Sequence, residues 1–377
     1  MQYKEYELGE LLPFEQPTAY IVKSTDYNDS YSTPVLTAGK SFILGKTNEK
    51  YGIFDQLPVI IFDDFTTATQ FVNFKFKVKS SAMKILHINT ALVMPKYIFY
   101  RLQIIQFDHS THKRYWIQSY SKIKVSIPSL DEQSRIVSRI DELFSEIDKA
   151  VDTLKATKEQ LAVYRQAVLV DAFRVVTNST HLKIGYVCAK IVDCPHSTPK
   201  WEKNGKLCLR TTNFKRGYLD LQSPNYVSEE TFNDRNRRII PQPGDVLYSR
   251  EGSVLGIACT IPSNVYPCLG QRMMLLRSGE KLNNRYLMHY LNSPMVTNHV
   301  IATKGGTGSP HINVGDIKEF QIPIPSLEEQ SYIVRQIEEQ LSSCDNVEKT
   351  VDAILTQADA MRQSILKQAF EGKKDVY

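Results

Sequence analysis

Apolar and small side chains fall at Ile136, Ile140, Leu143, Ile147, Ala150, Leu154, Thr157, Leu161, Tyr164 and Val168. This alternation of four and three residues keeps one stripe of a helix facing a partner. The spacing returns at Ile333, Ile337, Gln340, Cys344, Val347, Val351, Ile354, Ala358, Met361 and Ile365, each 197 residues after its counterpart. Two long helices and a tandem repeat are therefore predicted. Ser129 with Glu132, and Ser326 with Glu329, carry the Ser-x-x-Glu pattern of a capping box, which marks each start. Gly372, Lys373 and Lys374 mark the end of the second helix. Leu130 to Phe173 would reach roughly 66 Å at about 1.5 Å per residue.

Connectivity sets the direction of the helices. The first leaves one globular segment and delivers the chain to the next, and the second leaves that next segment. If the two pack along most of their length they must run antiparallel. Two equivalent helices of opposite direction, each with a head at its start, have the pseudo-twofold symmetry of duplex DNA, so that one chain would imitate a dimeric reader.

The heads read as mixed α/β. Leu57–Phe62 and the alternating Phe74–Lys79 are expected strands, the second with one buried and one basic face. Gly244–Ser249 and Gln271–Leu276 are their expected counterparts, and helical pieces are expected at Tyr97–Phe107 and Asn284–Leu291. A polar loop then closes each head, His112 to Trp116 in one and Gly305 to His311 in the other.

Composition narrows the choice of function. With 42% hydrophobic residues the 377-residue chain can fold as two or three units. No apolar run reaches the length of a membrane helix, and Met1 to Glu5 show no signal-peptide pattern, so a soluble, cytoplasmic protein is expected. Six cysteines without C-x2-C pairing read as reduced thiols rather than a zinc site or disulfide framework. The formal charge of +5 is uneven. The heads carry +3 over 1–123 and +7 over 176–323, while the helical segments are acidic. A basic excess in the heads suits contact with phosphates.

Catalytic motifs are missing. Ser223-Pro224-Asn225-Tyr226 is not a methyltransferase motif of the Asn/Asp-Pro-Pro-Tyr/Phe type. Gly305-Gly306-Thr307-Gly308 lacks the lysine of a phosphate-cradling loop. Asp245 and Glu251 have no lysine at nuclease spacing, and Asp245 after Gly244 reads as a turn residue. No enzymatic activity, metal or cofactor is expected on this chain.

Ile127-Pro128-Ser129-Leu130-Asp131-Glu132-Gln133 returns as Ile324-Pro325-Ser326-Leu327-Glu328-Glu329-Gln330. With the Gly308-Ser309 to Ile312-Asn313 approach and Pro243-Gly244-Asp245-Val246-Leu247 leading to Ser249-Arg250-Glu251-Gly252, the whole chain resembles the specificity subunit of a type I restriction-modification system. The first head lacks the Pro-Gly-Asp and Gly-Ser loops and offers Phe62 to Thr67 instead. The resemblance implies two target-recognition domains, 1–126 and 176–323, separated by an antiparallel coiled coil of helices at 127–175 and 324–377. It implies a non-catalytic, sequence-specific subunit that binds double-stranded DNA, reads a bipartite asymmetric target, sets the gap with its helices and docks two modification subunits. These would carry S-adenosylmethionine and methylate adenine, and restriction subunits would join the full complex. On the residues alone, a structural adaptor with two protein-binding heads stays open.

Location and side-chain chemistry nominate DNA contacts. In the first head these are Lys46, Asn48, Lys50, Thr66, Thr67, Lys77, Lys79, Ser80, Lys84, Lys113 and Arg114. In the second they are Lys200, Trp201, Arg210, Thr212, Asn213, Arg237, Arg238, Ser249, Arg250, Gln271 and Arg272.

Overall fold

The computed structural model describes residues 3–37, 41–108, 114–176, 178–303 and 310–371. The chain is mixed helix and sheet, with unbroken helices at Leu130–Arg174 and Leu327–Phe370. It divides into two compact units. One runs from the N-terminus to Leu154 and resumes at Ala353; the other is Lys155–Asp352. Each therefore contains one head together with part of both long helices. Gly305–Ser309, His112 and Gly372–Lys374, named above for loops and a helix end, lie outside the described residues.

In the first unit an antiparallel sheet has the order Phe14–Glu15, Met83–His87, Val59–Asp63, Thr69–Val72. A second sheet joins Ile43–Thr47, Thr33–Leu36 and Lys77–Val78, the last pair parallel. Lys4–Glu7 pairs with Lys124–Ile127, which leads into Pro128 and the first long helix. Helix Pro95–Leu102 shares a core with Trp116, Ile136, Val137 and Ile140, and with Leu366 and Ala369 of the second long helix. Each buried aliphatic side chain there stabilises by roughly 1.5–3 kcal/mol.

The second unit repeats this plan. Its main sheet has the order Cys188–Asp193, Met273–Ser278, Val246–Ser249, Ala258–Thr260. The other joins Trp201–Glu202, Tyr226–Val227, Lys206–Leu209 and, in parallel, Cys268–Leu269. His181–Lys183 pairs with Gln321–Pro323 ahead of the second long helix.

Matching the two plans corrects one expectation. Val59–Asp63 and Val246–Ser249 are counterparts, but Met273–Ser278 matches Met83–His87. The segment Phe74–Lys79 contributes only the short parallel strand Lys77–Val78, which matches Cys268–Leu269. Its basic face is interrupted, because Lys77 is buried between the exposed Lys75 and Lys79.

Within each unit the long helices run antiparallel. In the second, Lys158 lies 2.7 Å from Asp352 and Arg165 lies 2.6 Å from Asp345, so partner numbers fall as the first helix advances. In the first, Asp148 pairs with Arg362, while Ile140, farther back, shares a core with Leu366 and Ala369. The seam agrees with the expected stripe at Ile136, Ile140, Ile147, Val168, Ile333, Ile337, Cys344 and Val351, all buried. Leu143, Leu154, Leu161 and Ile365 are half-buried. Val347, Ile354 and Met361 are exposed. Beyond Cys344 the stripe keeps Val351 and Ala358, while its alternate positions move by one residue to Glu348, Leu355 and Arg362, where Glu348 and Arg362 answer Arg165 and Asp148 across the seam.

The last residue of each repeated motif ties head to helix. Gln133 and Gln330 are both 0% exposed. The Oε1 of Gln133 accepts from the Met94 amide at 2.7 Å, and its Nε2 donates to the carbonyls of Leu92 (3.2 Å) and Pro128 (2.9 Å). Gln330 repeats this with the Asn283 amide (2.8 Å) and the carbonyls of Lys281 (2.9 Å) and Pro325 (3.0 Å). One amide side chain satisfies a donor and two acceptors that would otherwise be orphaned. A second tie follows about two turns on. Lys96 and Tyr100 meet Asp141, where Arg285 and His289 meet Glu338. The capping boxes are unequal. Ser326 and Glu329 exchange both bonds, whereas Ser129 accepts from the Glu132 amide at 3.4 Å and the Glu132 carboxylate turns to Arg135.

Candidate nucleic-acid interface

Three segments meet at one end of the main sheet in each unit: the turn after the central strand, the residue preceding the neighbouring strand, and the segment that follows the closing polar loop. In the second unit the Arg250 amide donates to the Arg272 carbonyl and the Ile312 amide to the Arg250 carbonyl, both at 3.0 Å. In the first, the Asp64 amide donates to the Ala82 carbonyl (3.4 Å) and the Tyr115 amide to the Asp64 carbonyl (3.0 Å). Arg250 thus occupies the place of Asp64, and Arg272 that of Ala82. The scaffold is shared and its side chains differ.

In the second unit this end also gathers the loop after Cys188–Asp193. Arg235 anchors it, donating to the carbonyls of Ser197, Leu269 and Gly270. Gln271 donates to the His196 carbonyl and accepts from Thr198. The Gly270 amide donates to the Leu209 carbonyl, which places Arg210 beside the cluster. The Arg210 guanidinium lies 5.2 Å from the centre of the Trp201 ring. Exposed at or beside this end are His196, Lys200, Arg210, Thr212, Arg237, Arg238 and Arg272, and Arg237 pairs with Asp234.

Several nominated residues are committed to the fold. Ser249 is buried, accepting from the Ile257 amide and donating to the Val254 carbonyl. Arg250 is buried in a two-pronged pair with Asp193 at 2.8 and 3.0 Å. Asn213 is buried, closing a turn with the Arg210 amide and the Asp220 carbonyl. Lys77 sits among the carbonyls of Tyr51 and Gly52 and the Glu49 carboxylate. Lys84, 0% exposed, pairs with Asp64 at 3.2 Å. A buried side chain whose polar atoms are already paired, cationic or neutral, is out of reach of phosphate and base edges, so these five do not present their polar groups to DNA as expected.

In the first head Thr66, Thr67, Lys79, Ser80 and Arg114 come together at the equivalent end, with Lys79, Ser80 and Arg114 exposed. Lys46, Asn48 and Lys50 do not join them. Lys46 is opposite Pro34 at the far end of the strand that Lys79 caps through the Leu36 carbonyl. Lys113 lies outside the described residues.

Asp193, His196 and Arg235 escaped sequence reasoning. Apart from the His196–Asp193 pair, their partners are 34 to 75 residues away in the chain, and no short motif announces them. The two motif glutamines did leave a signal, a polar residue repeated where a stripe begins. Asp245 is a turn residue, accepting from the Gln242 amide and pairing with Arg277. No group of three or more His, Cys, Asp or Glu side chains among the described residues is arranged to hold a metal. All six cysteines are free, and burial pushes the Cys188 thiol up to about 12.

The family model for the type I restriction modification DNA specificity domain matches residues 2–160 and again 189–357. The chain belongs to the type I restriction modification DNA specificity family. It is 34% identical over 339 residues to the EcoR124I/EcoR124II specificity subunit of Escherichia coli, covering 87% of this chain and 84% of that one. Its fold is similar to that of a chain from a solved type I R-M system, with TM-score 0.68, 19% identity and 98% of both chains covered. The HsdS subunit of Thermoanaerobacter tengcongensis is also similar, with TM-score 0.54, 19% identity and 98% and 97% covered. The two matched stretches of this family member follow the two heads, each with the adjoining part of a long helix.

Proposed function

We propose that this chain is the sequence-reading, non-catalytic subunit of a type I restriction-modification complex. Each head binds one half of a bipartite, asymmetric target in double-stranded DNA. One observation carries the reading: the same three segments converge in both units, and they bear unlike side chains. Asp64, Ala82 and Arg114 stand in one head where Arg250, Arg272 and His311 stand in the other. A duplicated scaffold with different recognition groups suits two different half-sites. The glutamine ties at the helix starts, by contrast, are the same in both units, which suits two copies of one methyltransferase partner. Those partners would supply S-adenosylmethionine and the transfer chemistry, and restriction subunits would join them. A cytoplasmic location follows from this role. Among the described residues no helix is long and apolar enough to cross a membrane.

The long helices would set the gap between half-sites. Inserting one full heptad into each, at matched seam positions, should change the spacing of the recognised halves and leave their sequences alone. Unchanged spacing in a folded, active complex would refute the ruler role. A gel shift on randomised duplexes, with and without a methyltransferase subunit, tests DNA reading itself. A chain that selects no sequence but still binds protein partners would instead be an adaptor.

A further inference from the structure

Arg272 has φ +67, a left-handed backbone that strains a residue with a Cβ. Two other non-glycine residues share that region among the described residues, Thr67 and Asn264. Asparagine tolerates it, and Thr67 lies in the tight hairpin closed by the Asp63 amide and the Ala68 carbonyl. Arg272 has no such excuse. It lies in the link between Cys268–Leu269 and Met273–Ser278, and the first head builds the same link through Ala82 without a positive φ. The backbone around Arg272 is clamped on both sides. Gly270 bonds to Leu209, Gln271 is held by His196 and Thr198, and the Arg272 carbonyl accepts from Arg250. Its side chain is nevertheless 53% exposed. The guanidinium Nε lies 3.5 Å from Glu251 Oε1, and a Cβ on Gly252 would come within 3.3 Å of Nη1. Among the described residues Nη1 and Nη2 have no hydrogen-bond partner. A strained backbone thus holds a pre-aimed, unsatisfied fork at the interface, an arrangement that favours a ligand over the fold.

We propose that Arg272 is a base-reading residue of the second head. Its guanidinium, steadied by Glu251 over Gly252, donates to the O6 and N7 edge of a guanine in the half-site this head binds. The assignment rests on the DNA-reading function proposed above. The test uses the chain assembled with its methyltransferase subunits on duplexes randomised in both halves, comparing wild type with Arg272→Ala, Arg272→Lys and Arg272→Gly. Arg272→Ala should lose about 10- to 100-fold of the preference for guanine at one position of one half, the size of a bidentate contact. Lysine should not restore it, and the other half should be untouched. Arg272→Gly should lose the same preference while raising Tm, because glycine relieves the strain. An unchanged preference, a uniform loss at all sequences with a shallower salt dependence, or a lowered Tm for Arg272→Gly would each overturn the assignment. A wild-type complex with no preference in either half would sink the underlying reading as well, and would be seen without any substitution.

Discussion

Replacing Gln330 with alanine removes the amide that ties the second head to its helix. The side chain is wholly buried and makes three bonds of 2.8 to 3.0 Å. Truncation orphans the Asn283 amide and strips one partner from each of two carbonyls. An unmatched buried N–H costs about 1–3 kcal/mol, and the two carbonyls, each with a second lone pair, cost less. A water entering the space would recover part of this. The expected loss is therefore about 2–4 kcal/mol, read as a lower urea midpoint for the full chain. It should also appear locally, as faster hydrogen exchange at the Asn283 amide, about tenfold for each 1.4 kcal/mol. Gln330→Glu sharpens the test. Its carboxyl would face two carbonyls, so the neutral form is favoured and the folded pKa is raised. Stability should then be fully present below the ordinary glutamate range and be lost as pH rises through the folded pKa. A change within about 0.5 kcal/mol for Gln330→Ala, or a Gln330→Glu variant indifferent to pH, would refute the latch.

Lys84→Ala should destabilise the first unit by about 3–5 kcal/mol in a urea melt, because Asp64 is left as a buried, uncompensated carboxylate. Lys79→Ala and Arg114→Ala should leave the melt unchanged and each lower the salt slope of DNA binding by about one. Ser326→Ala should lower Tm more than Ser129→Ala, since only Ser326 has the reciprocal box. The amide and hydroxyl of Ser326 hold the Glu329 carboxyl below its usual value. That contribution is present above the ordinary glutamate range and is lost as pH falls through the folded pKa, so the two variants should converge in acid.

The helices, their antiparallel sense and the tandem plan were legible because a long apolar period is a local signal. Beyond Cys344 the sequence misplaces every second seam position, at Val347, Ile354 and Met361, because Glu348 and Arg362 look like surface residues until their partners on the other helix are known. For the same reason Arg250, Lys77 and Lys84 read as exposed cations in the sequence. Charge announces a partner but not whether it is DNA or a carboxylate such as Asp193 from a distant strand. Phe74–Lys79 alternates like a two-faced strand, yet the Lys77 ammonium is enclosed by the Tyr51 and Gly52 carbonyls, which no alternation can reveal. Arg114 and Arg272 were nominated from chemistry, but the strain at Arg272 is visible only in the backbone.

Modification-site sequencing of DNA from cells carrying this chain measures the central claim most directly. The account predicts methylated adenines in a motif of two unlike halves with a fixed gap. Deleting the chain should abolish that motif, and Arg272→Ala should relax one half alone. A single continuous motif, or one that survives deletion, would contradict it.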